Sequence, residues 1–189
     1  MLFTDQDAPA QIRKTLLHEL HRGALDSKHP FRYINLATMG ENGPEVRTVV
    51  CRYVSQDLEF FMYTDSRSEK VSELQLNSLA SLHFYHAAKR VQIRIKAKTE
   101  IHHQDQVSKG FWSKVQGEAQ KAYTSTLAPS TLISNPNEAF DWMENADDRY
   151  FAVLKFIPES IEALQLNGLQ HLRILFSEKD NWAGQWLVP

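Results

Sequence analysis

Ile12, Leu16, Leu17 and Leu20 recur at helical spacing, and with Pro9 near the start they predict an amphipathic helix over residues 9–22. Beyond Gly23 and a His29-Pro30 break, the apolar period drops to two. Phe31–Met39, Val46–Tyr53 and Leu58–Thr64 are rich in β-branched and aromatic residues and read as strands. Glu41-Asn42-Gly43-Pro44 and Ser55-Gln56-Asp57 supply the turn chemistry between them. Ser68–Asn77, carrying Val71 and Leu74, reads as a short helix, followed by strands Ala80–Tyr85 and Arg90–Ile101. Gln104–Thr126 is expected to be helical with an interruption near Gly117. A loop holding Pro129 and Pro136 then leads to a further short helix through Phe140, Trp142 and Met143. The tail reads as strands Tyr150–Ile157, Ser160–Gln165, His171–Phe176 and Trp182–Val188. Short strands, tight turns and few helices predict a mainly β fold with peripheral helices, closed as an antiparallel barrel. No repeat or linker divides residues 1–189, so a single domain is expected.

Charge and composition narrow the chemistry. Lys and Arg number 21 against 23 Asp and Glu, a net charge of −2 without the basic excess that nucleic-acid or membrane-surface binding needs. Cys51 is the single cysteine, which excludes an internal disulfide framework and fits a reducing compartment. No apolar run approaches the ~20 residues that span a bilayer, and Met1-Leu2-Phe3-Thr4-Asp5 has no secretory character. A cytoplasmic protein is expected. Neither G-x-G-x-x-G nor G-x-x-x-x-G-K-[ST] occurs. The histidines, among them His18 and His21 on one helix face, show no recognisable ligand spacing, so no metal is expected.

Three segments carry candidate chemistry. Tyr63-Thr64-Asp65-Ser66-Arg67-Ser68-Glu69-Lys70 ends a strand and begins a helix. Its hydroxyls, its two cations and the helix N-terminus all suit a phosphate. Ser66-x-x-Glu69 also has the form of a ligand-free capping box. Arg47-Thr48-Val49-Val50-Cys51-Arg52 is a strand with a cation at each end; its Cys51 reads as a small buried hydrophobe. Gln92, Arg94, Lys96 and Lys98 line one face of an alternating strand, where the Gln92 amide offers both donor and acceptor to a heteroaromatic edge.

In order and spacing, R-T-V-V-C-R at 47–52, F-M-Y-T-D-S-R-S-E-K at 61–70 and Q-I-R-I at 92–95 resemble the FMN-binding split-barrel family typified by pyridoxamine 5′-phosphate oxidase. His171-x-Arg173, Trp182 and the final Leu187-Val188-Pro189 are similar to that family's C-terminus. The resemblance implies an antiparallel split β-barrel and an FMN cofactor. Arg47, Thr48, Val49, Val50 and Arg52 would contact its phosphate and ring, and Tyr63, Thr64, Ser66, Arg67, Ser68 and Lys70 would form the phosphate and ribityl site. Gln92 would reach the ring with Arg94 beside it, and Arg173 would approach from near the C-terminus. It further implies a homodimer with FMN at the subunit interface, and oxidoreductase action on a small organic substrate, with no side chain assigned as catalytic. Where the family's oxidases hold a substrate phosphate, this chain has Phe111, Val115 and Glu118 or Ala119; Leu169-Gln170-His171 replaces an Arg-x-His, and Leu164 a tryptophan. His171 is the remaining candidate for substrate contact. Pyridoxamine/pyridoxine 5′-phosphate oxidase itself, and a non-enzymatic FMN- or haem-binding barrel, are the alternatives.

Overall fold

A computed structural model describes residues 1–189. Helix α1 (Pro9–Leu25) buries Ile12, Leu16 and Leu20, as the apolar spacing requires, and runs three residues past its expected end at 22. It packs so closely on the following turn that a Cβ on Gly23 would lie 2.6 Å from the Phe31 Cβ. Strands β1 (Tyr33–Gly40), β2 (Gly43–Val50), β3 (Tyr53–Val54) and β4 (Phe60–Asp65) follow, then helix α2 (Glu69–Leu76). Strands β5 (Leu79–His86) and β6 (Val91–His103), helices α3 (Gln106–Trp112) and α4 (Glu118–Lys121), and strands β7 (Phe151–Gln165), β8 (Leu172–Ser177) and β9 (Gly184–Leu187) complete the chain.

The nine strands form one antiparallel sheet in the order β2-β1-β5-β6-β7-β4-β3, with β8 and β9 attached at β7. The sheet closes because β2 and β3 are nearly one strand. Cys51 N–H donates to the Arg32 carbonyl at 2.9 Å, and Arg52 N–H already donates to the Phe61 carbonyl at 3.0 Å. The chain thus leaves the β1 edge and joins the β4 edge within two residues. Cys51, at the crossing, points into the core, where burial pushes its thiol up to about 12. Phe31, Phe60, Phe84, Phe156 and Phe176 are fully buried around it, each worth roughly 1.5–3 kcal/mol of transfer free energy.

Strand β7 splits the barrel. Residues Phe151–Phe156 pair with β4, residues Ser160–Gln165 pair with β8, and β6 runs beside both halves. Between them Ala97 pairs Pro158 while Lys96 pairs Ser160, so Glu159 is an extra residue in a β-bulge. Pro158 has no N–H for the ladder, and a bulge is where a sheet tolerates that. The two strands expected at Tyr150–Ile157 and Ser160–Gln165 are therefore one bent strand. Elsewhere the helical content is lower than expected. Residues 113–117 interrupt the segment from Gln104, and only a 3₁₀ turn (Pro136–Ala139) stands where a helix through Met143 was expected.

Candidate functional site

A cavity of about 250 Å³ opens between β2, β4 and the start of α2. Thr48, Val49, Val50 and Arg52 reach it from the β2 side, Tyr63 and Thr64 from β4, and Lys70 from the first turn of α2. Seven of the residues singled out from sequence thus share one wall system, which holds two cations and no carboxylate. Met62, Leu154 and Tyr123 add apolar and aromatic surface. Tyr123 comes from the stretch expected to be helical beyond the interruption near Gly117, where nothing in the local pattern marked it.

Lys70 sets the electrostatics. Its ammonium donates to the Thr64 hydroxyl at 3.1 Å and has no carboxylate within ion-pairing distance. Burial, then the nearby charge of Arg47, push its pKa down, against the smaller opposing pull of Asp65, Glu73 and Glu69. Ser68 is the N-cap of α2, yet its hydroxyl donates to the Asp65 carbonyl at 2.7 Å and lies 3.1 Å from Thr64 Oγ1. The Ser66-x-x-Glu69 capping box does not form, and no side chain caps this helix start. Anion-seeking backbone N–H groups, a half-buried ammonium and two hydroxyls therefore stand together beside apolar and aromatic walls. A phosphate ester on a flat ring system fits this donor set.

Other predicted residues sit elsewhere. Arg47 does not line the cavity: it forms an ion pair with Glu73 at 2.8 Å and donates to the Thr38 hydroxyl. Ser66 donates its N–H to the Tyr150 carbonyl at 2.7 Å. Arg67 pairs with Asp65 at 2.7 Å, lies 3.4 Å over the Tyr150 ring, and donates to the carbonyls of Ser125, Thr126 and Leu127. Its guanidinium is committed to pinning the loop after Tyr123. Gln92, Arg94 and Arg173 form a second group on the outer face of β6, β7 and β8, where Glu162 accepts from Arg94 at 2.6 Å and from Arg173 at 3.0 Å. His171 lies just before β8, its Nδ1 accepting the Asn167 N–H at 3.1 Å.

A further cluster escaped the sequence reading because its members are far apart in the chain. Glu19, His29 and His86 bring their ligand atoms within 4.8 Å of one another. The Nδ1 atoms of His29 and His86 accept the Phe31 and Lys89 N–H groups at 3.1 and 3.2 Å. Each neutral ring therefore keeps its proton on Nε2, which removes the lone pair a metal would take there. Lys89 Nζ already stands 2.7 Å from Glu19 Oε2. The cluster is a charge lock between α1 and the β5–β6 hairpin. Burial opposes ionisation of Glu19, but hydrogen bonds from Lys89 and His29 and the charges of Lys89 and Arg22 outweigh it and hold the carboxyl down at about 2. Burial, then the charges of Lys89 and His29, push His86 down as well. Both groups favour the deprotonated form in the folded state. Stability should therefore be full above the ordinary imidazole value of 6.5, fall below it as the unfolded chain takes up the proton His86 resists, and fall again from 4.5 towards 2 through Glu19. Urea midpoints measured across this range check the profile; Glu19→Gln should flatten its acidic limb.

The family model described as pyridoxamine 5′-phosphate oxidase, FMN-binding domain, matches residues 9–103. A pyridoxine/pyridoxamine 5′-phosphate oxidase of Pelagibacter ubique is 26% identical, the alignment covering 99% of this chain and 94% of the relative. One from Rhizobium meliloti is 27% identical over 79% of this chain and 68% of its own. Among solved structures, a pyridoxamine 5′-phosphate oxidase-related, FMN binding protein of Nostoc punctiforme superposes with a TM-score of 0.77 at 23% identity, covering 94% of this chain and 97% of the other. PhzG from Burkholderia lata, solved with tetrahydrophenazine-1-carboxylic acid, superposes with a TM-score of 0.74 at 18% identity, covering 100% and 98%. Both likenesses establish a shared split-barrel fold.

Proposed function

The chain belongs to the pyridoxamine 5′-phosphate oxidase FMN-binding family, and from that premise we propose that it is an FMN-dependent oxidoreductase acting on a small organic molecule. The observation that carries the reading is a cavity whose lining holds Arg52 and Lys70 and no carboxylate. Lys70, Thr64 and Ser68 hold the phosphate at the start of α2. Val49, Val50, Met62 and Leu154 give the apolar surface on which a planar ring lies. FMN, when bound, supplies reversible two-electron redox chemistry. The chain's own residues bind and orient. The titratable groups on the cavity are Arg52, Tyr63, Lys70 and Tyr123. Burial raises the Tyr63 pKa, so its phenol stays neutral and able to donate.

The working unit on this reading is a homodimer. At about 250 Å³ the cavity falls short of the roughly 300–1,000 Å³ usual for ligand pockets, as half of a shared site would. Beside it, Tyr33, Met39, Val46, Leu79 and Tyr85 are exposed on one face of β1, β2 and β5, an apolar surface of the kind that marks an interface. Gln92 is paired directly with Tyr85 and so lies on that face, while Val50, on the cavity wall, is paired with Tyr33. Docking two copies through it would bring Gln92, Arg94 and Arg173 of the partner subunit towards the cavity. Sedimentation of the FMN-loaded protein should give a dimer; a monomer that still retains FMN tightly would contradict the shared site.

A further inference from the structure

A separate cavity of about 220 Å³ lies where α1, the β3–β4 turn, the bulge of β7 and the 3₁₀ turn (Glu178–Asp180) before β9 meet. It shares no residue with the Lys70 cavity. Arg13 enters it from α1, its guanidinium 5.6 Å from the Trp182 ring centroid. The Arg13 Nε is buried and meets no hydrogen-bond partner. No carboxylate lies within ion-pairing distance of it, whereas Arg22 of the same helix pairs with Glu19 at 3.2 Å. Asp57 and Glu178 stand on the walls of this cavity. Neither forms an ion pair, although Glu59, two residues beyond Asp57, holds Lys155 at 2.8 Å.

The backbone keeps these charges apart. Ser55 N–H donates to the Glu59 carbonyl at 2.9 Å and Leu58 N–H to the Ser55 carbonyl at 3.1 Å, closing the turn that carries Asp57. Trp182 N–H donates to the Ser177 carbonyl at 2.7 Å, closing the turn that carries Glu178. Leu58 and Trp182 hold φ at 66° and 61°, left-handed conformations that non-glycine residues keep only where their surroundings over-determine them. The rest of the lining is apolar, from Leu58, Ile157, Pro158 and the Trp182 ring. A lone anion here would meet Asp57 and Glu178 at like charge. A lone cation would meet the guanidinium and leave Nε unpaired. A molecule carrying both charges satisfies all three groups, since a guanidinium fork takes two carboxylate oxygens and carboxylates accept from an ammonium. The space equals that of about seven waters in the liquid, enough for an amino acid and too little for a flavin nucleotide.

We propose that this cavity is a second ligand site, taking a free α-amino acid with an apolar side chain: its carboxylate on Arg13, its ammonium on Asp57 and Glu178, its side chain against Leu58, Ile157 and Trp182. The purified full chain is titrated with L-leucine, L-leucinamide, which lacks the carboxylate, and N-acetyl-L-leucine, which lacks the ammonium. Binding is followed by heat and by the ligands' own NMR signals. Leucine should bind about tenfold more tightly than either analogue, the worth of one charge-assisted contact. Arg13→Gln should bring leucine down to the level of leucinamide and leave leucinamide unchanged. The double variant Asp57→Asn, Glu178→Gln should bring leucine down to the level of N-acetyl-leucine. Melting curves of both variants, expected to stay near that of the parent, separate loss of the site from loss of the fold. Leucinamide binding as tightly as leucine would remove Arg13 from the site, and N-acetyl-leucine doing so would remove the two acids; either overturns the proposal. If leucine does not bind the folded parent chain, the three groups are solvated surface charges and the proposal is wrong.

Discussion

Replacing Lys70 by Met is expected to cut FMN affinity by about tenfold to a hundredfold while leaving riboflavin affinity within a small factor. The ammonium meets only the Thr64 hydroxyl, at 3.1 Å, and a contact between it and a phosphate is worth roughly 1.5–3 kcal/mol. Riboflavin carries no phosphate and loses nothing comparable. The unliganded protein should meanwhile melt no lower, and somewhat higher at neutral pH. Burial and Arg47 push the Lys70 pKa down, so the folded state holds this proton less well than the unfolded chain does, and removing the cation relieves that penalty. Paired titrations with the two flavins, and a melting curve without either, check all three expectations. Equal losses for FMN and riboflavin would move the phosphate away from α2.

Arg67→Ala should behave in the opposite way. The sequence places this cation in the phosphate turn, but the structure spends its donors on Asp65 and on three successive carbonyls of the loop after Tyr123. Its loss leaves Asp65 without its ion-pair partner and releases that loop, at a cost of about 1.5–3 kcal/mol in folding stability. The loop near residues 125–131 should become a preferred site of proteolysis. Because Tyr123 lines the cavity next to the released segment, FMN and riboflavin should weaken together. A loss confined to FMN, with the loop still resistant to protease, would return Arg67 to the phosphate.

These contrasts show where the chain was legible. The period-two strands, the helix start after Thr64 and the β2 segment could be read because each is local. The alternation fixes which side chains share a face, and Lys70 sits one turn into a helix whose start Thr64 and Ser68 mark. Arg67 and Arg47 were less legible because their partners are distant in sequence: Glu73 lies 26 positions from Arg47, and the Ser125–Leu127 carbonyls lie 58 to 60 from Arg67. A local pattern shows a cation but not which acid or carbonyl it will meet. The Glu19, His29 and His86 cluster was hidden for the same reason. The gap expected between strands ending at Ile157 and starting at Ser160 is a bulge at Glu159 beside Pro158, and that depends on pairing with β6, which no local pattern shows. Gln92, Arg94 and Arg173 were placed by resemblance, and in the single chain they do not line the Lys70 cavity; on the proposed reading a second copy would unite them.

The most direct measurement is the identity and amount of cofactor carried by the purified chain, read from its absorption and from the molecule released on denaturation. A basic, acid-free cavity built for a terminal phosphate monoester predicts flavin bands and about one FMN per chain. Release of FAD, a Soret band from haem, or failure to take up FMN on reconstitution would contradict the account.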